Sequence, residues 1–182
     1  MSRLLTILFI ILTTFGCRPT DKKTGLEKII FHSTGCFGSC PTYHLQLNND
    51  KSFKLFAESV LKRDTVSLNI LGKADTTKMG YFIGQSDDTL FQQITTELAT
   101  LGLDTINFDG PSYTDGSSIT LIIYYDGKRR YLQSYFPTPK ADKLISSLYN
   151  VCESSPKKRS NEKFKIEEGS IFERVRRFFK HY

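Results

Sequence analysis

Asp126-Gly127 stands between two apolar-rich runs, Ile119 to Tyr125 and Arg129 to Phe136, and no other feature of the sequence constrains the fold as sharply. Asp-Gly supplies the positive-φ residues of a two-residue turn, so the flanking runs are expected to pair as antiparallel strands. Tyr43-His-Leu-Gln-Leu47 alternates by two, reverses through Asn48-Asn-Asp-Lys51 and returns as Ser52-Phe-Lys-Leu-Phe56, which predicts a second hairpin. Leu26-Glu-Lys-Ile-Ile-Phe31 reads as a first strand, followed by the Gly-rich turn Thr34-Gly-Cys-Phe-Gly-Ser-Cys-Pro41. Val66, Leu68 and Ile70 alternate with polar neighbours, and Gly80-Tyr-Phe-Ile-Gly84 adds a further strand.

Two stretches carry the helical period instead. Leu90, Phe91, Ile94, Leu98 and Leu101 recur at spacings of three and four, with Asp87 or Asp88 placed to cap the helix and Gly102 to stop it. Thr138-Pro139 fits an N-cap and first helical position, and Ala141, Leu144, Ile145, Leu148, Val151 and Cys152 then form one apolar stripe. The order of strands, helix, hairpin, helix predicts an α+β domain over residues 26–153, a mainly antiparallel sheet with two helices packed on one face. A chain of 182 residues, 39% hydrophobic, has the material for one such core.

The two ends read differently from this body. Arg3 precedes an apolar-dominated run from Leu4 to Phe15, closed by Gly16 and Cys17, the layout of a secretion signal and too short for a spanning helix of about 20 residues. The Cys after a small residue resembles the lipobox of bacterial lipoproteins, which implies that residues 1–17 are a signal, that Cys17 carries the lipid and that residues 18–25 are a tether. The expected address is export and anchorage to a bacterial membrane, the periplasm-facing side of the outer membrane. At the other end, Ser154 to Gly169 is polar, basic and without pattern, and is expected to be a linker. Residues 170–182 are expected to form a short basic amphipathic helix: Ser170 and Glu173 fit a capping box, Ile171, Phe172, Val175, Phe178, Phe179 and Tyr182 would fill one face, and Arg174, Arg176, Arg177 and Lys180 the other. Such a helix either lies on anionic lipid, docks on an envelope protein or packs back on its own sheet.

Net charge is +6, but residues 156–182 hold nine Lys or Arg against four Asp or Glu, so the remainder carries only +1. A nearly neutral body lacks the basic face that nucleic-acid binding needs, and no nucleic-acid partner is expected.

If Cys17 is acylated, Cys36, Cys40 and Cys152 remain, an odd count for an oxidising compartment. Gly35, Gly38 and Pro41 favour a turn tight enough for a Cys36–Cys40 bridge, while a bridge involving Cys152 stays open. His32, Cys36, Cys40 and His44 recur every four residues and offer two thiolates and two imidazoles, a ligand set for zinc or copper, although the glycines and Pro41 break any continuous helix that would align them. A thiol enzyme would need one of these cysteines beside a histidine base. GxSxG, phosphate-cradling Gly-loop and HExxH motifs do not occur. Asp109, Asp115 and Asp126 stand beside or near glycine and read as turn residues.

Cys36-Phe-Gly-Ser-Cys-Pro-Thr-Tyr43, followed by a hairpin, resembles an uncharacterised lipoprotein domain family of Gram-negative bacteria that opens on C-F-G-x-C-P-x-Y. The likeness runs through the Gly80 strand, the Leu90 helix, the Thr114-Asp115 pair and the closing helix. Lys51 stands where that family's first hairpin usually has Gly after Asp, and residues 60–78 look like extra length. The resemblance implies a fold and an envelope address without an activity, and makes a structural role for both motif cysteines more credible. The expectation is a lipid-anchored, non-enzymatic binding or scaffolding module without a cofactor, whose sheet edge or C-terminal helix contacts a partner or the membrane. The alternative is a thiol-redox or metal-binding protein using Cys36 and Cys40.

Overall fold

A computed structural model describes residues 25–36, 40–62, 73–110 and 116–168 of the chain. The expected strand around Val66 to Ile70, the Thr114-Asp115 pair, the signal with Cys17, most of the tether and the C-terminal helix lie outside the described residues.

Among the described residues, seven strands form one sheet in the order β6-β5-β1-β2-β3-β4-β7, every neighbouring pair antiparallel. They are β1 (Leu26–Ser33), β2 (Thr42–Asn48), β3 (Ser52–Ser59), β4 (Gly80–Gln85), β5 (Ile119–Tyr125), β6 (Lys128–Ser134) and β7 (Lys157–Arg159). Helices α1 (Asp88–Leu101) and α2 (Asp142–Ser154) complete an α+β fold.

Alternation along each strand sorts side chains between two faces. Ile29 and Phe31, Tyr43, Leu45 and Leu47, Phe53 and Leu55, and Leu121 and Ile123 meet Ile94, Leu98, Leu144, Leu148 and Val151 of the two helices in the main core. Asp87 caps α1 by accepting the Leu90 amide at 2.8 Å, and Gly102 ends it at φ 67. Both match the expected boundaries of that helix. Pro139 opens a short 3-10 helix, Pro139–Ala141, that leads directly into α2. Asp126 at φ 48 and Gly127 at φ 70 make the two-residue turn between β5 and β6. Strand β6 stops at Ser134, short of Phe136, where the Ser134 hydroxyl accepts the Phe136 amide and turns the chain out of the sheet.

The linker expected over residues 154–169 is corrected. Lys157–Arg159 pairs with β4 as the edge strand β7, and Ser160 donates its amide to the Tyr81 carbonyl. Residues 160–168 then form a strap that packs on the sheet face away from the helices, where Ile166 is buried with Ile30 and Ile122 among Phe56, Tyr124, Tyr131 and Phe164. Burying one such aliphatic side chain contributes about 1.5–3 kcal/mol, enough to hold a segment whose composition alone reads as linker.

Candidate functional site

The chemistry-bearing side chains gather on the strap-covered face. Register in the β1–β2 pair sets His32 opposite His44, and both rings point away from the helices. Their Nδ1 atoms lie 2.8 Å apart. His32 Nε2 is 2.8 Å from the Glu167 carbonyl oxygen in the strap, and His44 Nε2 is 3.0 Å from Oε2 of Glu58 on β3. Burial holds the His32 imidazole below its ordinary range; the Glu167 carbonyl opposes that shift and the neighbouring His44 adds to it.

His44 also begins an aromatic row across the sheet. It stacks on Phe56 at 5.5 Å between centroids, Phe56 stacks on Tyr81 at 4.5 Å, and Tyr81 meets Phe164 of the strap edge-on at 5.1 Å. Lys54 lies over the Phe164 ring.

Glu167 is the hub at the other side of the pair. The Tyr124 hydroxyl donates to its carboxylate at 2.7 Å, Arg129 Nη2 approaches Oε1 at 3.1 Å and Lys28 Nζ approaches Oε2 at 3.4 Å. Burial on its own would raise this carboxyl, but the Tyr124 and Arg129 hydrogen bonds and the Lys28 charge hold it below the usual carboxylate range. Sequence reasoning missed Glu167, Glu58, Tyr124 and Arg129, because they come from four separate elements and no local spacing joins them.

Cys36 and Cys40 are bonded to each other, with Cα atoms 5.5 Å apart, on the half-exposed turn between β1 and β2. Ser33 closes the base of that turn: its hydroxyl donates to the Pro41 carbonyl at 3.0 Å and accepts the Tyr43 amide at 3.1 Å. A ring this small contributes about 2 kcal/mol through the unfolded chain, so its main effect is to fix the turn. Two sulfurs in a disulfide are not thiolate ligands, so the His32, Cys36, Cys40, His44 set is corrected: the histidines come together and the cysteines are spent on one another. Among the described residues, no three His, Cys, Asp or Glu side chains converge to hold a metal ion. Cys152 is free and buried in α2, where burial pushes its thiol well above the ordinary value and leaves it a small hydrophobe. Phe172, Arg174, Arg176, Arg177, Phe178, Phe179 and Lys180 lie beyond the described residues, as does Cys17.

Neither the curated proteins nor the solved structures yield a match to this chain. A family model described as a domain of unknown function, DUF6438, matches residues 27–154, from the second residue of β1 to the last of α2, so the fold just described, without β7 and the strap, is the family's domain. The chain belongs to the DUF6438 family.

Proposed function

We propose that the chain is a non-enzymatic binding or scaffolding module of the cell envelope, held by a lipid on Cys17 and contacting anionic lipid through the basic face of residues 170–182. One observation supports this reading: the first and last described residues of the domain lie on neighbouring ground. Gly25, just before β1, is tied to Asp126 by two hydrogen bonds: its amide donates to the Asp126 carboxylate at 2.9 Å and its carbonyl accepts the Asp126 amide at 3.0 Å. Glu167 reaches Lys28 on β1, three residues beyond Gly25. A tether over residues 18–25 spans at most about 28 Å when extended, and residue 170 follows the strap within three residues of Glu167. A lipid on Cys17 and the basic segment 170–182 would then both be within reach of one membrane surface. Two weak membrane signals on one chain add in the manner of dual anchors.

The test separates the two signals. In an exporting host, Cys17→Ala should abolish acylation by intact mass and move the protein out of the membrane fraction. Residues 18–182 should co-sediment with phosphatidylglycerol-containing vesicles more strongly than with zwitterionic ones, and Arg174→Glu with Arg176→Glu and Arg177→Glu should remove that preference. Equal sedimentation of the triple variant would remove the helix from the proposal.

A further inference from the structure

Four ring nitrogens lie in one hydrogen-bonded line from the Glu167 carbonyl through His32 and His44 to the Glu58 carboxylate. Both ends of that line are acceptors, so both Nε2 atoms must carry hydrogen. Two neutral rings in that tautomer would face each other with bare Nδ1 lone pairs at 2.8 Å, which is repulsive. One added proton converts this contact into an N–H···N hydrogen bond. A metal ion between two imidazoles needs bonds of about 2.0–2.1 Å to each nitrogen and further ligands, and among the described residues no third donor converges.

We propose that His32 and His44 form a one-proton clasp that locks the 160–168 strap onto the sheet, and that a second proton opens it. With one proton, three N–H groups satisfy the line: one ring is neutral, donating through Nε2 and accepting at Nδ1, and the other carries hydrogen on both nitrogens. The second proton sets two Nδ1–H groups against each other, so one ring must move. Either movement reaches the strap. If His32 turns, it leaves the Glu167 carbonyl; if His44 turns, it leaves Phe56, and the row through Tyr81 to Phe164 loses its end.

The charges facing the pair set the sign. Glu58 on β3 and Glu167 and Glu168 on the strap favour protonation, while Lys28 on β1 and Arg129 on β6 are engaged with Glu167, and Tyr124 on β5 donates to it. Burial of His32 and the neighbouring His44 outweigh these carboxylates, so the second proton enters only below the ordinary histidine range. Acidification therefore opens the clasp. This inference does not depend on the lipid or the tail helix.

The experiment is a pH titration of the full chain in detergent micelles, labelled with ¹⁵N at its three histidines and at its backbone amides. His181→Gln assigns the third ring. Near neutral pH, one ring of the pair should show a bare, pyridine-type Nδ1 and the other two protonated nitrogens. On acidification His32 should protonate below pH 6.5, and amides of residues 160–168 should move to random-coil positions in the same step while those of α1 and β5 stay dispersed. His44→Phe keeps the stack on Phe56 but removes the opposing Nδ1–H, and should uncouple the strap from the His32 step, so that the strap stays closed where the parent chain opens. Strap amides that ignore the His32 step, or an unchanged midpoint in His44→Phe, would overturn the clasp. So would a stoichiometric zinc-induced shift of both Nδ1 signals at neutral pH, which would make the gap a metal site.

Discussion

Lys51 sits at φ 69, a left-handed backbone that L side chains adopt at a cost of roughly 1–2 kcal/mol. That is the physical reason for a Gly preference at this step of the first hairpin, and here the Lys51 ammonium gains Asp88, the first residue of α1, at 2.6 Å. The surface pair offsets little of the strain. Gly127 is the cleaner case, because a Cβ built there meets nothing within 4 Å and the backbone alone, at φ 70, decides the outcome. Gly127→Ala is therefore expected to cost about 1 kcal/mol in urea unfolding, with no change in the m-value. A neutral result would mean that the turn relaxes to a different type. His32 and His44 teach the complementary lesson about reading residues. Their chemistry was visible in the sequence, but four-residue periodicity suggested partners along the chain, whereas strand register pairs them across it.

At the scale of elements, legibility followed local signal. Helix α1 was written in its cap, its apolar spacing and its stop, and the β5–β6 hairpin in Asp126-Gly127, since each depends on contacts a few residues apart. β7 had no such signal: Lys157, Lys158 and Arg159 show no alternation, and their strand exists because β4 has a free edge and α2 a free C-terminus. Lys157 Nζ donates to the Cys152 and Glu153 carbonyls at 2.6 and 3.0 Å, closing the last turn of α2, and Arg159 donates to the Met79 and Thr77 carbonyls. Gly84 makes room for this pairing, because a Cβ there would collide with the Pro156 carbonyl and with the Phe53 ring. Gly84→Val should then cost about 1–3 kcal/mol and speed hydrogen exchange across Lys157–Arg159 far more than in β1 or β5. Uniform acceleration would show instead that β7 opens only with the whole sheet. The strap escaped sequence reading for the same reason as β7: Phe164 and Ile166 are its only large apolar residues, and what they cover lies on strands distant in sequence.

The described residues build three layers of unequal weight: two helices, the sheet, and the strap. The family match ends at Ser154, so the helices and strands β1 to β6 lie within it, while β7 and the strap over the second face lie outside it. Truncation after Ser155 removes β7, Ile166 and Glu167 but leaves the main core intact. Cooperative unfolding should persist, with stability lowered by about 2–4 kcal/mol for the lost burial and hydrogen bonds, and the newly bare Ile30, Ile122 and Tyr131 should bind a hydrophobic dye. The pH dependence supplies the stronger check. His32 holds its proton less tightly when buried under the strap, so its contribution is present above its ordinary value of 6.5 and is lost as pH falls through the lower folded value. Glu167, held below its ordinary value of 4.5, contributes above that value and loses its contribution as pH falls further, through its own depressed folded value. Both slopes have the same sign, and both depend on the strap. Urea unfolding from pH 8 down to pH 4 should therefore show the full chain losing its advantage over the truncated one, with the two curves converging at the acid end. Parallel curves across that range would mean that the strap is held by its apolar contacts alone and that the histidines and Glu167 sit beside it without controlling it.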